Sequence, residues 1–267
     1  MKKQSRTIIL GILVLAGRRL TAAQLTRLTA PLGLSASNVK SHLTRMTREG
    51  SLRRAGPRRL STYRPSPSQM QVVEGIQTRL TEAPDSAWDG AWLLLALRLP
   101  QDRTDRKRWR ASLWFDGFRP ISSDVFVRPA WPLPWAERRT HYYSTRIPGF
   151  CLRGDVIRAA VALTEIYDLD GLDSEARGLR AWIRRRTAAI GSPRAAFVER
   201  IAVGGRIARF IGHDPRLPPA LWGKRRGMRD AVAAFHKFEK QIAPRAQRFL
   251  DDALGIRPTR GKTTRRD

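Results

Sequence analysis

Polar and basic side chains share one face of a predicted helix near the start of the chain. After Ser35, a residue type that caps helix N-termini, Val39, Leu43 and Met46 recur at i, i+4 and i+7 and form an apolar face. The other face carries Ser37, Asn38, Lys40, Ser41, His42, Arg45 and Arg48. In a DNA major groove asparagine pairs with adenine and arginine with guanine, each through two hydrogen bonds, so this face has the chemistry of a base reader. The alternative is a solvated helix face.

A basic hairpin is predicted directly after this helix. Gly50 ends the helix, and two short strands, 51–54 and 58–63, flank a Gly56-Pro57 turn. The hairpin carries four arginines, which are Arg53, Arg54, Arg58 and Arg59. We expect them to contact DNA phosphates, which position a protein on the duplex but carry no direct sequence information.

Two earlier helices are predicted to hold this face in place. The first runs from about Ser5 to Ala16 and is closed by Gly17; the second follows Thr21 as its N-cap and ends at Pro31 and Gly33. Three helices followed by a hairpin predict a winged helix-turn-helix over residues 1–66, with the third helix in the major groove.

The charge balance favours a polyanionic partner. The 267 residues include 51 Lys or Arg against 23 Asp or Glu, a formal net charge of +28, and 42% hydrophobic residues argue for a folded protein rather than a basic tail. Up to Pro65, Glu49 is the only acidic residue. Against it stand Lys2, Lys3, Arg6, Arg18, Arg19, Arg27, Lys40, Arg45, Arg48, Arg53, Arg54, Arg58, Arg59 and Arg64. We therefore expect double-stranded DNA as the partner.

Cysteine content and hydropathy indicate where in the cell the protein is located. Cys151 is the single cysteine, which excludes an intramolecular disulfide and a multi-thiolate metal site. The apolar run in the first helix is short and is followed by Arg18-Arg19 rather than a cleavage site, and no stretch reaches the roughly 18 apolar residues of a membrane span. The sequence predicts a cytoplasmic protein that does not enter a membrane.

The remaining chain predicts an α+β protein with further domains. A helical connector at 67–82 leads to a central ferredoxin-like α/β domain at 83–171. That domain is predicted from a β-α-β unit (strand 91–99, helix 104–115, strand 124–128) and strand-like stretches at 141–146 and 164–169. A helical C-terminal domain at 172–256 contains predicted helices at 174–190, 194–211 and 227–254, and 257–267 is predicted to be a basic disordered tail.

Three spaced segments resemble the PaaX family of transcriptional repressors. They are the stretch from Ala87 to Leu95 with Trp88-Asp89-Gly90-Ala91-Trp92, the stretch Asp214-Pro215-Arg216-Leu217-Pro218 with Trp222-Gly223, and the third helix with Gly56, Arg58-Arg59 and Tyr63. The resemblance implies a bacterial repressor of phenylacetate catabolism, commonly a homodimer, that leaves its operator when a small-molecule effector of the acyl-CoA type, such as phenylacetyl-CoA, binds. It also relates the central domain to a small CRISPR-associated nuclease subunit whose first strand ends in a metal-binding Asp. Arg98 stands at that position here, so we expect no metal site.

Other functions find little support in the residues. We find no phosphate-binding glycine loop, no His-Glu-x-x-His and no Gly-x-Ser-x-Gly, and expect neither an enzyme nor a cofactor. One alternative is an effector-independent accessory or architectural nucleic-acid-binding protein, which the high charge alone would explain. Another is a metal-dependent nuclease that uses Asp102 and Asp105. Trp88 and Trp92 are expected in the core rather than in a ligand pocket, and effector-binding residues are not assigned.

Overall fold

A computed structural model describes residues 2–57, 60–81, 88–131, 143, 145–154, 166–188 and 190–256. The chain divides into two compact units. The first contains Met1–Glu74, Trp182–Ile207 and Ala234–Asp267, and the second contains Gly75–Ala181 and Ala208–Ala233. The fold is mixed α/β, with helical N- and C-terminal parts and antiparallel sheets. The sequence-based domain boundaries stay a prediction.

The N-terminal elements of the first unit form in the predicted order. They are α1 (Lys2–Ala16), β1 (Leu20–Thr21), α2 (Ala22–Thr29), a 3-10 turn (Ala30–Leu32), α3 (Ala36–Arg48), β2 (Leu52–Ala55) and β3 (Thr62–Pro65). Gly17 and Gly33 take positive φ angles of 62° and 78°, which glycine adopts without steric cost. The predicted ends of the first two helices are therefore confirmed, except that the 3-10 turn extends the second.

The predicted hairpin is present, but its second strand is displaced. β2 and β3 pair antiparallel with Leu52 opposite Pro65 and Ala55 opposite Thr62, so β3 begins four residues after the predicted start at residue 58. β1 was not predicted; it pairs with the free edge of β3 and gives the order β1-β3-β2. A two-residue strand is too short to show the period-2 alternation by which strands are detected.

The three long C-terminal helices are also confirmed. They are α6 (Leu169–Ala188), α7 (Pro193–His213) and α9 (Gly227–Leu254), with the short α8 (Pro219–Trp222) before the last. In the first unit α1 approaches α7 closely, because an added Cβ on Gly11 would lie 3.6 Å from Ile201 Cδ1 and one on Gly205 only 3.0 Å from Thr7 Cγ2. Small residues at such positions let two helix backbones come together.

The predicted connector helix is α4 (Pro67–Thr81), and Ser66 Oγ accepts a hydrogen bond from Gln69 N at its start. A largely polar helix of this kind is expected to contribute little to a core. The structure nevertheless buries Arg79, which is 2% exposed.

The second unit contains a four-stranded antiparallel sheet. Its elements are β4 (Trp92–Leu97), α5 (Arg103–Phe115), β5 (Arg119–Pro120), β6 (Val125–Pro129) and β7 (Gly149–Gly154), with strand order β5-β6-β4-β7. The predicted β-α-β unit is wrong in its pairing, since β6 lies antiparallel beside β4. The short β5 was missed. It forms a hairpin with β6 that reverses the chain direction before β6 reaches β4.

Two strand predictions fail in the residues that the structure describes. In the 141–146 stretch, residue 143 is helical and residues 145 and 146 lie in a turn, while 141, 142 and 144 lie outside the described residues. In the 164–169 stretch, residues 166–169 form helical turns that lead into α6, and 164 and 165 lie outside. Asp168 explains the early helix start, because its Oδ1 accepts a hydrogen bond from Gly171 N at 3.1 Å. The fourth strand is instead β7, an exposed edge strand whose weak alternation hid it.

Two apolar clusters stabilise this unit. Leu95, Leu97, Leu113, Phe118 and Phe126 pack on the α5 side of the sheet. The other cluster consists of Trp92, Val127, Tyr167, Leu169 and Leu217. Trp92 is 5% exposed, so its expected place in the core is confirmed. Trp88 is only partly buried and packs against this cluster, with its ring edge to face with that of Trp92 at 5.6 Å.

Candidate nucleic-acid interface

The polar face of α3 is positioned by its cap and its apolar side. Ser35 Oγ accepts a hydrogen bond from Asn38 N at 3.3 Å and starts the helix, and Val39, Leu43 and Met46 are each at most 1% exposed. Burial of these three side chains fixes the rotation of α3 about its axis, because residues three and four apart share one side of a helix. Five predicted contact residues are consequently exposed: Ser37, Asn38, Lys40, Ser41 and Arg48.

His42 departs from the sequence-based placement. The pattern put it on the outer face, whereas the structure leaves it only 8% exposed. Arg45 Nη2 lies 2.7 Å from His42 Nδ1. Because a guanidinium only donates, Nδ1 must accept, and His42 is neutral in this arrangement. Burial, followed by the charges of Arg45 and Arg6, lowers the pKa of His42 below 6.5. His42 thus holds the half-buried Arg45 side chain in place.

The hairpin presents two further predicted residues. Arg53 and Arg54 on β2 are both exposed, and Arg54 Nε donates a 2.8 Å hydrogen bond to Ser61 Oγ. Ser61 Oγ donates in turn to Pro57 O across the turn at 3.0 Å. Gly56 has φ +87°, and an added Cβ would lie 3.2 Å from a backbone oxygen, so the turn requires glycine. Arg58 and Arg59 lie outside the described residues.

Local contacts hold the helices that carry this face. Thr21 Oγ1 accepts from Gln24 N at 3.2 Å, and Gln24 Oε1 accepts from Thr21 N at 2.9 Å, a reciprocal capping box that starts α2. Arg6 on α1 bonds Glu49 and donates to Ser51 Oγ at 3.0 Å, just beyond the end of α3. Glu49, the single acidic residue up to Pro65, is therefore paired with Arg6 of α1. It does not neutralise the exposed arginines of α3 and β2, Arg48, Arg53 and Arg54.

Three exposed arginines near this surface were counted in the sequence but not assigned a role. Arg18 and Arg19 follow the end of α1, and Arg64 lies on β3, where it is paired in register with Arg53. In the sequence, only the charge of these arginines indicates a role in DNA binding, because single arginines in a turn or a short strand carry no periodic pattern.

The segment around Asp214 organises buried charge in the second unit. Asp214 is 4% exposed, and its Oδ1 accepts a 2.8 Å hydrogen bond from Arg216 N, which has φ +54°. Burial raises the pKa of Asp214, while Arg216, Arg79 and Arg119 oppose that shift. Arg119 donates to Trp114 O and Phe118 O at 3.1 and 3.0 Å and to His213 O at 3.2 Å. These contacts tie the C-terminal ends of α5 and α7 together and describe a structural role.

The Asp89-Gly90 segment also has a local structural role. Asp89 Oδ1 accepts a hydrogen bond from Ala91 N at 3.0 Å, and Gly90 has φ +90°. That backbone hydrogen bond, with Arg153, lowers the pKa of Asp89. The turn leads the chain directly into β4.

Asp102 and Asp105, the candidate nuclease residues, lie at the start of α5. Asp102 Oδ1 accepts a 2.8 Å hydrogen bond from Asp105 N and so caps α5. Within the described part of the chain, no three His, Cys, Asp or Glu side chains are grouped as metal ligands would be. No described helix has the length and apolar character that a membrane crossing requires.

Comparison with known proteins identifies the family. The family described as PaaX-like protein matches residues 5–68, and the PaaX-like protein C-terminal domain matches residues 168–252. A solved structure, the uncharacterized protein Rv0674 from Mycobacterium tuberculosis, is similar in fold with a TM-score of 0.56 and 24% sequence identity, over 93% of this chain and 98% of that one. No curated protein matches the chain. With one family match on the helices and hairpin and another on the C-terminal helices, the chain belongs to the PaaX-like family of transcriptional regulators.

Proposed function

We propose that the N-terminal elements form a winged helix-turn-helix that binds operator DNA in a sequence-specific way. The order α1-β1-α2-α3-β2-β3 supports this, since α2 and α3 provide the helix-turn-helix and the β2–β3 hairpin provides the wing. The observation that carries the proposal is the exposed polar and basic face of α3 beside an arginine-bearing hairpin.

We propose that α3 and the β2–β3 hairpin contact different parts of the DNA. Asn38, Ser41 and Arg45 on α3 read base edges in the major groove, with His42 positioning Arg45. Arg53 and Arg54 on β2 contact phosphates and set the register of the protein on the duplex. Affinity then depends steeply on salt through every arginine, and sequence preference depends on α3 alone.

We assign the sheet of the second unit to a ferredoxin-like domain. The order β5-β6-β4-β7, with all neighbours antiparallel, is the arrangement in which β4, α5 and β5 make a β-α-β unit split by β6.

Membership of the PaaX-like family supports the regulatory mechanism that we propose. The protein acts as a homodimeric repressor whose two winged helix-turn-helix domains bind a roughly palindromic operator. An acyl-CoA effector, phenylacetyl-CoA in phenylacetate catabolism, releases the repressor from this DNA. A hundredfold loss of DNA affinity requires about 2.7 kcal/mol of coupling, and DNA must weaken effector binding by the same factor.

Fluorescence anisotropy on two duplexes tests this proposal. DNA from upstream of the gene and a shuffled duplex are titrated over a salt series, with and without aryl-acyl-CoA esters. We expect discrimination of at least about 10³ that a CoA ester abolishes. A preference for the upstream duplex that CoA esters do not change would refute the proposed effector but support a sequence-specific regulator. Equal affinity for both duplexes would refute specific recognition and favour an accessory nucleic-acid binder, for which the +28 charge suffices.

Two arginine variants separate base reading from phosphate contact. Arg45→Ala is expected to weaken binding to the upstream duplex more than to the shuffled one. Arg53→Ala should weaken both about equally and lower the salt slope by about one. Arg194→Ala, an exposed arginine on α7 with the same charge change, is the control. Equal losses on both duplexes would exclude Arg45 as a base reader.

A further inference from the structure

A cavity of about 330 Å³ lies in the first unit between the C-terminal end of α1 and the junction of β3 with α4. Leu13 and Val14 of α1 form one wall and Met70 of α4 another, with Pro65 and Pro67 between them. Leu13 is 1% exposed, so the floor of the cavity is the apolar core of the unit. A volume of this size is at the lower end of the range for small-molecule sites.

Three guanidinium groups surround this apolar floor. The cavity is also lined by Arg18, Arg19 and Arg64, each of them exposed. Within the part of the chain that the structure describes, none of the three makes a hydrogen bond or ion pair to a protein carboxylate. By contrast, some arginines elsewhere in this unit are paired with carboxylates, as Arg186 is with Glu199 at 2.7 Å and Arg200 with Glu239 at 2.9 Å. The rim therefore concentrates uncompensated positive charge at the mouth of an apolar cavity.

We propose that this cavity binds a small organic anion that carries an apolar group, such as an aryl or medium-chain acyl group with a carboxylate or phosphate. The apolar group displaces water from the partly exposed Val14 and Met70, and the anionic group contacts the rim arginines, whose planar donors suit carboxylate and phosphate oxygens. Volume and charge together select this class: an uncharged apolar molecule leaves the arginines unused, and a bare inorganic anion leaves the apolar walls uncovered.

Because of where the cavity lies, a bound anion could alter the proposed winged helix-turn-helix at residues 1–66, called the head below. A bound anion touches the last residue of β3 and the first turns of α4, the strand and helix that join the hairpin to the rest of the chain. This consequence rests on the proposed DNA-binding function, whereas occupancy of the cavity does not. The two are measured separately.

Direct titration of the full chain with 1-anilinonaphthalene-8-sulfonate, an apolar anion whose fluorescence rises in apolar sites, tests the proposal. Arg18→Gln and Arg64→Gln are each expected to weaken binding by about three- to fivefold, and Val14→Phe, which fills the cavity and keeps the charge, by about tenfold. Arg248→Gln, an exposed arginine on α9 in the same unit, is the matched control and should bind like the parent. Decanoate should displace the probe, and inorganic phosphate at the same ionic strength should not.

Several outcomes would overturn this site. Parent-like binding by both rim variants, or an equal loss in Arg248→Gln, would mean that the probe binds elsewhere. Parent-like binding by Val14→Phe with an unchanged circular dichroism spectrum would exclude the cavity itself. If the rim variants weaken DNA binding but not probe binding, Arg18 and Arg64 are phosphate contacts of the head and the site is wrong. Probe binding without any DNA binding would leave the cavity standing and refute the proposed function.

Discussion

Replacing Arg79 by methionine should destabilise the second unit strongly. The Arg79 side chain is 1% exposed, donates to Ile211 O at 3.3 Å and to Phe115 O, and lies 3.7 Å from Asp116 Oδ1. Its guanidinium also stacks 3.9 Å from the centre of the Phe115 ring. Methionine fills much of the volume but removes the donor to two backbone carbonyls and the cation that faces the buried Asp116 carboxylate, which keeps its hydrogen bond from the Tyr143 hydroxyl. Loss of one partner of a buried ion pair costs about 3–5 kcal/mol.

Urea unfolding followed by tryptophan fluorescence measures this loss. With a slope of about 2 kcal/mol per molar urea, the midpoint should fall by about 1.5–2.5 M. Arg180→Met, which breaks the partly exposed Arg180–Asp230 pair of the same unit, is the control and should lose no more than about 1 kcal/mol. The double variant Arg79→Met/Asp116→Asn should lose less than the two single losses added together. A loss below about 1 kcal/mol in Arg79→Met would refute this account of the buried network.

Two substitutions and one titration test the structure of the N-terminal helices and hairpin. Thr21→Ala removes the capping box of α2 and should lower stability by about 1 kcal/mol in thermal unfolding, with a smaller loss in Thr21→Ser; no difference between them would contradict the role of the hydroxyl. Gly56→Ala, at φ +87°, should lower stability by about 1–2 kcal/mol, whereas Gly75→Ala in the open interior of α4 should be neutral or stabilising. His42 should titrate by NMR below 6.5; since its folded pKa is depressed, stability is lost as pH falls below 6.5 and protonation breaks the bond from Arg45, and a midpoint at or above 6.5 would contradict this.

Helices with strong caps could be predicted from the sequence. Ser35 and Thr21 cap the helices that their types predict, and α9 begins and ends at the predicted residues. These features depend on contacts between residues a few positions apart, and such contacts leave a periodic pattern in the sequence. The family, too, was identified from three spaced motifs, and the matches at both ends of the chain confirm it.

Strand pairing could not be predicted in the same way. β1 and β5 have two residues each and β7 is an exposed edge, so none of them shows the alternation of a half-buried strand. The predicted strand near Tyr167 is helical instead, with the tyrosine hydroxyl donating to Gly117 O and Val127 O at 3.1 and 3.0 Å. A side chain that is buried through partners 40 to 50 residues away carries no local signal of the backbone it will adopt.

The sequence by itself determined the charge, the capped helices, the polar face of α3 and the family, because each depends on composition or on neighbours along the chain. Only the tertiary structure decided that His42 is buried beside Arg45, that Arg79 is buried, and that Arg18 and Arg64 line the same apolar cavity. The physical reason is that burial and charge clustering depend on residues that are distant in sequence, and packing brings those residues together.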